Sequence, residues 1–168
     1  MSNVFIGLGS NIGNRLQHLR SALHLIHRLE STTLVAVSSL YETPPLGFTE
    51  QESFYNAVCQ IDTTLDPLAL LHELKSIERT LGRPEKYERW RPRPIDLDIL
   101  LYDALVVQND AVSIPHPELP NRKFVLVPLL DIANPVHPVL KKPMSELLAE
   151  TTDRSDLRQL PERLLEVF

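Results

Sequence analysis

Residues 88–101 read ERWRPRPIDLDILL. An arginine-rich half is followed directly by a half in which apolar residues and aspartates alternate. From Ile95 onward apolar residues alternate with Asp96 and Asp98, which is the period of an extended strand with one face buried. Side chains two positions apart on one strand face lie roughly 6 to 7 Å apart, so both carboxylates can reach one small group of cations. The stretch predicts a half-buried strand that binds magnesium. The residues expected on its buried side are Ile95, Leu97, Ile99 and Leu101.

The aspartate pair has an ordinary alternative, because aspartates also occur on the solvent face of purely structural strands. Aspartate is depleted in strands, however, and arginine forks bind phosphate oxygens bidentately. The density of arginine beside the pair therefore favours a site where phosphate and metal meet. Two interpretations of Trp90 remain open: it anchors a loop, or it forms a flat apolar wall against the ring of a ligand.

The composition indicates one globular domain, residues 1–168, with 43% hydrophobic and 23% charged residues. A formal net charge of -5 excludes a generally basic surface for nucleic acid, and the positive charge is instead concentrated between Arg83 and Arg93. Cys59 is the only cysteine, so no internal disulfide is possible. With no signal-peptide pattern and no apolar run of membrane length, we expect a cytoplasmic protein without a membrane partner. A monomer is a separate expectation.

Periodicity and turn residues predict the secondary structure. Asp66 as N-cap, Pro67 at the first position and Gly82 as terminator frame the best-defined helix, with an apolar stripe of Leu68, Leu71, Leu74, Ile77 and Leu81. Another helix is marked by Leu16, Leu19, Leu23 and Ile26. The predicted strands cover 3–8, 33–41, 54–64 and 95–101, with a short return at 105–108. The weaker segments are a loop over 112–120, a short helix over 123–132 broken at Pro128, and a terminal helix over 157–164. The pattern favours an α+β sandwich with the sheet on one side and helices packed against it.

Two familiar motifs are absent from the sequence. Gly7-Leu8-Gly9-Ser10-Asn11-Ile12-Gly13 follows a strand but has neither the spacing of a dinucleotide fingerprint nor the lysine of a phosphate loop. The six histidines show no metal-helix spacing. His116 stands out because it precedes an arginine and an aromatic residue in a proline-rich loop, where it either braces the loop or faces a site.

Several segments of the chain together resemble the 6-hydroxymethyl-7,8-dihydropterin pyrophosphokinase family (2-amino-4-hydroxy-6-hydroxymethyldihydropteridine diphosphokinase). The resemblance runs from the first glycines to about Ile132. The segments that carry it are Gly7-Leu8-Gly9-Ser10-Asn11, Thr43-Pro44-Pro45-Leu46-Gly47, Tyr55-Asn56-Ala57, residues 92–101, Pro115-His116-Pro117 and Asn121-Arg122-Lys123-Phe124. It implies a ferredoxin-like α/β sandwich, mainly antiparallel, that transfers pyrophosphate from ATP to a reduced hydroxymethylpterin in folate biosynthesis and releases AMP.

The resemblance also implies roles for individual residues. Asp96 and Asp98 would be the ligands of two magnesium ions that bridge the triphosphate. Arg83 and Arg93 would hold the phosphates through the transition state. The remaining roles are pterin binding by Thr43, Pro44, Leu46, Asn56 and Phe124, nucleotide binding by Leu71, Arg83, His116 and Arg122, and contact with both ligands by Trp90.

Four positions depart from the family pattern. Arg91 stands where a small residue is usual and Pro94 where threonine is usual, so slower closure of this loop is expected. Glu85 and Ala111 stand where some members have arginine, so weaker nucleotide binding is expected. These departures motivate one alternative, a catalytically weakened paralogue that binds pterin or nucleotide in a regulatory role. Another alternative is a sugar transferase that uses Asp-x-Asp.

Overall fold

A computed structural model describes residues 1–43, 52–82 and 94–165 of the chain. Its first part contains β1 (Ser2–Ser10), α1 (Arg15–His27), β2 (Thr32–Val37), β3 (Leu40–Thr43), β4 (Phe54–Thr63) and α2 (Pro67–Thr80). Its second part contains β5 (Asp96–Tyr102), β6 (Val107–Gln108), β7 (Ser113–Ile114), α3 (Lys123–Ile132), α4 (Met144–Glu150) and β8 (Arg158–Leu160), with a 3-10 turn at Leu119–Asn121.

The main sheet has six strands and is antiparallel throughout the described residues. Its order is β5-β1-β4-β3-β8, and β2 pairs with β4 next to the stretch that pairs with β3. β6 and β7 form a separate two-stranded hairpin. The predicted antiparallel sheet with helices packed against it is confirmed.

Helices cover both faces of this sheet, because alternate side chains of its central strands enter two different apolar clusters. Val4, Ile6 and Leu8 join the cluster that α1 and α2 cover, whereas Phe5 and Val58 join the cluster that α3 and α4 cover. We call these two sides the α1 face and the α3 face. The expectation of helices on one side only is wrong, since the apolar residues on the α3 face also need cover from water.

Strand β5 keeps the predicted alternation only as far as Ile99. Ile6 lies opposite Ile99 but Phe5 lies opposite Leu101, so Leu100 is an extra residue in β5. A β-bulge of this kind reverses the alternation beyond it. Leu101 therefore lies with Leu100 in the α3-face cluster, not on the α1 face with Ile99 as predicted.

The predicted strand over 33–41 is two strands, separated at Ser38 and Ser39. The Ser38 N–H donates to the Val58 carbonyl at 2.9 Å, and Ser38 Oγ accepts from the Val58 N–H at 2.9 Å. This side-chain bond replaces one rung of the ladder. β2 and β3 consequently pair with successive stretches of β4.

Helix α2 forms as its end signals predict. Asp66 Oδ1 accepts from the Ala69 N–H at 2.8 Å, and Gly82 takes a φ of +99° just past the helix. Of the predicted apolar stripe, Leu74 and Ile77 are buried, and Leu71 and Leu81 are partly buried against the same cluster. Leu68 was wrongly included, since it is 49% exposed, and the buried Leu70 was missed.

The second half differs more from the prediction. α3 continues through Pro128, which lies in the sixth position, where its missing N–H removes the single bond to the Phe124 carbonyl. The hairpin strand β7 lies within the predicted loop, and the 3-10 turn begins within it. In place of the predicted terminal helix over 157–164, β8 extends the sheet beside β3 and Pro161 follows it. α4 was not predicted. None of the helices in the described ranges has both the length and the apolar character needed to cross a bilayer.

Candidate active site

The two aspartates of β5 lie opposite glycines of β1. Asp96 is paired with Gly9 and Asp98 with Gly7. Leu97 between them enters the α1-face cluster, so both carboxylates project to the α3 face. Both are half-buried. Because their cross-strand partners are glycines, neighbouring side chains can approach the backbone of β1 closely: a Cβ at Gly7 would lie 3.4 Å from Leu100 Cδ2.

Gly9 also lies opposite Asn56 of β4, which brings an amide onto the same face. Asn56 is 5% exposed, and its Nδ2 donates to Thr43 Oγ1 at 2.9 Å. A Cβ at Gly9 would lie 3.1 Å from Asn56 Oδ1, closer than ordinary van der Waals contact. Thr43 and Asn56 thus form a fixed polar pair, in which Asn56 lies two strands from Asp96, about 10 Å away at the usual strand spacing.

His116 lies at the edge of the sheet beyond β5. Its backbone N–H donates to the Leu100 carbonyl at 2.9 Å, and its Nδ1 accepts from the Glu118 N–H at 3.1 Å. The neutral ring therefore carries its proton on Nε2, which is free of that bond. Burial lowers the pKa of His116, the Arg122 charge lowers it further, and the Asp96 and Glu118 charges oppose the change. His116, Arg122 and Asp96 are thus within electrostatic reach of one another.

Arg122 and Phe124 follow at the start of α3. The Arg122 guanidinium lies 5.6 Å from the centre of the Phe124 ring. Phe124 is half-buried and packs against the α3-face cluster. The structure therefore brings six predicted residues to one face of the sheet or its edge: Thr43, Asn56, Asp96, Asp98, Arg122 and Phe124, with His116 beside them.

Leu71 is placed differently. It is partly buried and packs against the α1-face cluster, together with α2 and the strand residue Ile114. The structure does not place Leu71 on the α3 face.

Several predicted residues lie outside the described ranges. These are Pro44, Leu46, Arg83, Trp90 and Arg93, and the departures Glu85 and Arg91. The other two departures are described: Pro94 is half-buried just before β5, and Ala111 is exposed in the β6–β7 turn, where its N–H donates to Asn109 Oδ1 at 2.8 Å.

Glu78 is a site-supporting residue that the sequence analysis missed. It lies on the buried side of α2, is 6% exposed, and its Oε2 accepts from the Leu97 N–H at 2.8 Å. Leu97 stands between the two aspartates, on the edge strand of the sheet. An acidic residue four positions after Leu74, within an apolar stripe, was the signal that could have found it.

The donor set fits magnesium. In proteins that bind nucleotides, Mg²⁺ is usually held by one or two carboxylates, and phosphates supply its other oxygens. The two half-buried carboxylates on one face of β5 match this set. Asp96 and Asp98 would hold the metal, and the polar and aromatic groups of Thr43, Asn56 and Phe124 lie on the same face for an organic ring. The arrangement suits the transfer of a phosphorylated group between two bound substrates.

Comparisons with known proteins identify the family to which the chain belongs. A family model described as 7,8-dihydro-6-hydroxymethylpterin-pyrophosphokinase matches residues 5–134. A protein of Haemophilus influenzae named 2-amino-4-hydroxy-6-hydroxymethyldihydropteridine pyrophosphokinase is 40% identical over 161 residues, which cover 96% of this chain and 100% of that relative. The protein of the same name from Aquifex aeolicus is 39% identical over 153 residues, 90% of this chain and 94% of the relative.

The fold also matches solved structures. The wild-type HPPK-DHPS of Plasmodium falciparum has a TM-score of 0.70 and 18% sequence identity, and the match covers 89% of this chain. The matched region spans 44% of that longer chain. At this identity the likeness supports the fold alone.

Proposed function

Because the chain belongs to the 7,8-dihydro-6-hydroxymethylpterin-pyrophosphokinase family, we propose that its α3 face is the active site at which ATP and 6-hydroxymethyl-7,8-dihydropterin react. The enzyme transfers pyrophosphate from ATP to the pterin in folate biosynthesis. The observation that carries the proposal is the placement of Asp96, Asp98 and Asn56 on one face, across two glycines of β1.

The reaction needs a defined geometry more than covalent help from the protein. The hydroxymethyl oxygen of the pterin forms a bond with the β-phosphorus of ATP, and the bond from that phosphorus to the oxygen bridging the α and β phosphates breaks, so AMP leaves. Phosphoryl-type transfer depends mainly on positioning and on neutralising charge. We propose that Asp96 and Asp98 hold two Mg²⁺ ions, which when bound neutralise the triphosphate oxygens.

The acceptor side of the site is the Thr43–Asn56 pair with Phe124. Asn56 Nδ2 is already bonded to Thr43, so its Oδ1 is directed to accept a hydrogen bond from the pterin ring. Phe124 offers a ring face for stacking at the start of α3. We also propose that Pro44, Leu46 and Trp90, which lie outside the described residues, contact the pterin.

The nucleotide side involves His116 and Arg122. The neutral His116 ring presents Nε2–H as a donor, and Arg122 supplies a permanent positive charge, so both suit a phosphate or ribose oxygen. Arg83 and Arg93 are proposed to bind the phosphates and Leu71 to contact the nucleotide. A ferredoxin-like topology, one domain over 1–168, a monomeric state and a cytoplasmic location are also part of the proposal. The relatives give no support to the non-catalytic alternative.

Product analysis tests this function. The protein is incubated with ATP, magnesium and 6-hydroxymethyl-7,8-dihydropterin, and the nucleotide products are separated. AMP and the pterin diphosphate in equal amounts are expected. ADP in place of AMP, or AMP formed equally fast without the pterin, would contradict the proposal.

A further inference from the structure

Four side chains meet at the ends of β3 and β4 on the α1 face, directly behind the Thr43–Asn56 pair. They are Arg15, Glu42, Ser53 and Arg158, and we call them the Glu42 cluster. Glu42 precedes Thr43 in β3 and lies opposite Tyr55 in β4. Because side chains alternate along a strand, Glu42 and Tyr55 project to the side opposite Thr43 and Asn56.

Ser53 is the centre of the cluster's hydrogen bonds. Its Oγ donates to Glu42 Oε2 at 2.8 Å. Arg15 Nη1 donates to both the carbonyl and the Oγ of Ser53, at 2.9 and 3.0 Å. These bonds join the start of α1, the end of β3 and the residue that precedes β4.

The charges of the cluster are arranged around the single carboxylate of Glu42. Arg158 Nη2 donates to Glu42 Oε1 at 2.7 Å, and Arg15 lies 3.8 Å from Oε2. Arg158 is 72% exposed, so water weakens its contribution. Arg15 is 19% exposed and also lies over the Tyr55 ring, 4.0 Å from its centre, which fixes the guanidinium.

The cluster lies where the β3–β4 ladder most needs support. Within the described residues, three pairs join these strands, and the last of them is Thr43 with Phe54. The terminal pair of a ladder frays readily because it lacks a neighbour on one side. Glu42 and Ser53 are the residues that precede Thr43 and Phe54, so their bond ties this last pair together.

We propose that Glu42 is a positioning residue for the pterin: through Ser53 and Arg15 it fixes the end of β3 against the start of β4, and so sets where Thr43 and Asn56 present their polar atoms to the ring. This inference rests on the proposed function. It assigns the Glu42 cluster to the acceptor side and not to the nucleotide, because its bonds end one residue from the Thr43–Asn56 pair and two strands from β5.

Steady-state kinetics with a double-mutant cycle tests the inference. Glu42→Ala is expected to raise the KM for 6-hydroxymethyl-7,8-dihydropterin about three- to tenfold, the range for losing one net hydrogen bond. The KM for ATP should stay within about twofold, since no bond to the nucleotide side is removed. Ser53→Ala breaks the same bond from the other strand, so the double variant should be no worse than the poorer single one. Glu42→Gln keeps an oxygen for Ser53 and should fall between the wild type and Glu42→Ala.

A matched control is Glu150→Gln, which breaks the exposed ion pair of Lys142 and Glu150 (2.9 Å) between the end of α4 and the segment before it, and should leave both KM values unchanged. An unchanged pterin KM in Glu42→Ala and Ser53→Ala, or an equal rise in the KM for ATP, would overturn the inference while AMP formation by the wild type still upheld the proposed function. A wild type that forms no AMP would contradict the proposed function and this inference with it.

Discussion

His116 shows at the residue scale how the candidate site is joined across the edge of the sheet. Its backbone is held by Leu100 of β5, and its ring feels the opposite charges of Arg122 and Asp96. The sequence left two interpretations open for this histidine, a loop brace or a site residue. The structure supports bracing directly, through the bond from the Glu118 N–H to Nδ1, and the same bond leaves Nε2 as the atom that can meet a ligand.

The titration of His116 provides a prediction for the metal-free protein. Burial and the Arg122 charge lower its pKa, so the ring should titrate below the ordinary value of about 6.5. A histidine whose pKa is lower in the folded than in the unfolded protein contributes to stability above the pKa of the unfolded state. This contribution is lost as the pH falls through the pKa of the folded state. Arg122→Gln should raise the pKa of His116 toward the ordinary value, because the second-largest cause is removed while burial remains.

The measurement is an NMR titration of the imidazole protons, with the His116 signal identified by its loss in His116→Gln. Glu118 and Asp96 also face the ring and are left unchanged in this comparison. A His116 pKa that stays the same or falls further in Arg122→Gln would show that the Arg122 charge does not act on the ring.

At the scale of elements, α2 supports the strand that carries the aspartates. Among the described residues β5 is the edge strand of the sheet, so the N–H of Leu97 that faces away from β1 meets no further strand there. Glu78 supplies the acceptor from α2, and α2 itself begins and ends where Asp66 and Gly82 predict. Helix and strand are thus fixed to each other by one buried carboxylate at the midpoint of the Asp96–Asp98 pair.

Removing this acceptor should affect both stability and metal use. Glu78→Ala leaves the Leu97 N–H buried without its partner, which costs about 1 to 3 kcal/mol, and should raise the Mg²⁺ concentration needed for half-maximal AMP formation. Glu78→Gln retains an acceptor oxygen and should show a smaller change in both quantities. Urea unfolding and a magnesium titration of activity measure the two effects.

Glu73→Gln on the exposed side of the same helix is the matched control and should resemble the wild type in both measurements. If Glu78→Ala loses stability but its magnesium dependence is that of the wild type, then Glu78 supports the fold without positioning the aspartates.

At the scale of the whole molecule, the elements with strong local signals were predictable and those set by tertiary contacts were not. Caps and apolar periodicity identified α1, α2, β1 and β4. The bulge at Leu100 was hidden because both faces of β5 beyond Ile99 are apolar, so alternation carried no information there. β8 forms by pairing with β3 across more than a hundred residues, which no local pattern records.

The candidate site was predictable to a similar extent. The Asp96–Asp98 pair could be inferred from strand alternation, and the gathering of Asn56, Arg122 and Phe124 from the family resemblance. That Gly7 and Gly9 lie opposite the two aspartates could not be predicted, because strand register cannot be read from one strand alone. Glu78 and the Glu42 cluster depend on contacts between distant elements and gave no spacing signal.

The central claim is that the two carboxylates on β5 bind the metal used in pyrophosphate transfer. Its most direct measurement is the magnesium-dependent rate of AMP formation in Asp98→Asn, compared with Asp62→Asn. Asp62 lies on the same side of β4 as Asn56, six residues along and about 20 Å away, so it provides a strand aspartate outside the site. The account predicts a loss of at least about a hundredfold for Asp98→Asn, as for other groups that stabilise transferring charge, with wild-type rates for Asp62→Asn and folded protein in both cases. A rate for Asp98→Asn equal to that of Asp62→Asn would contradict it.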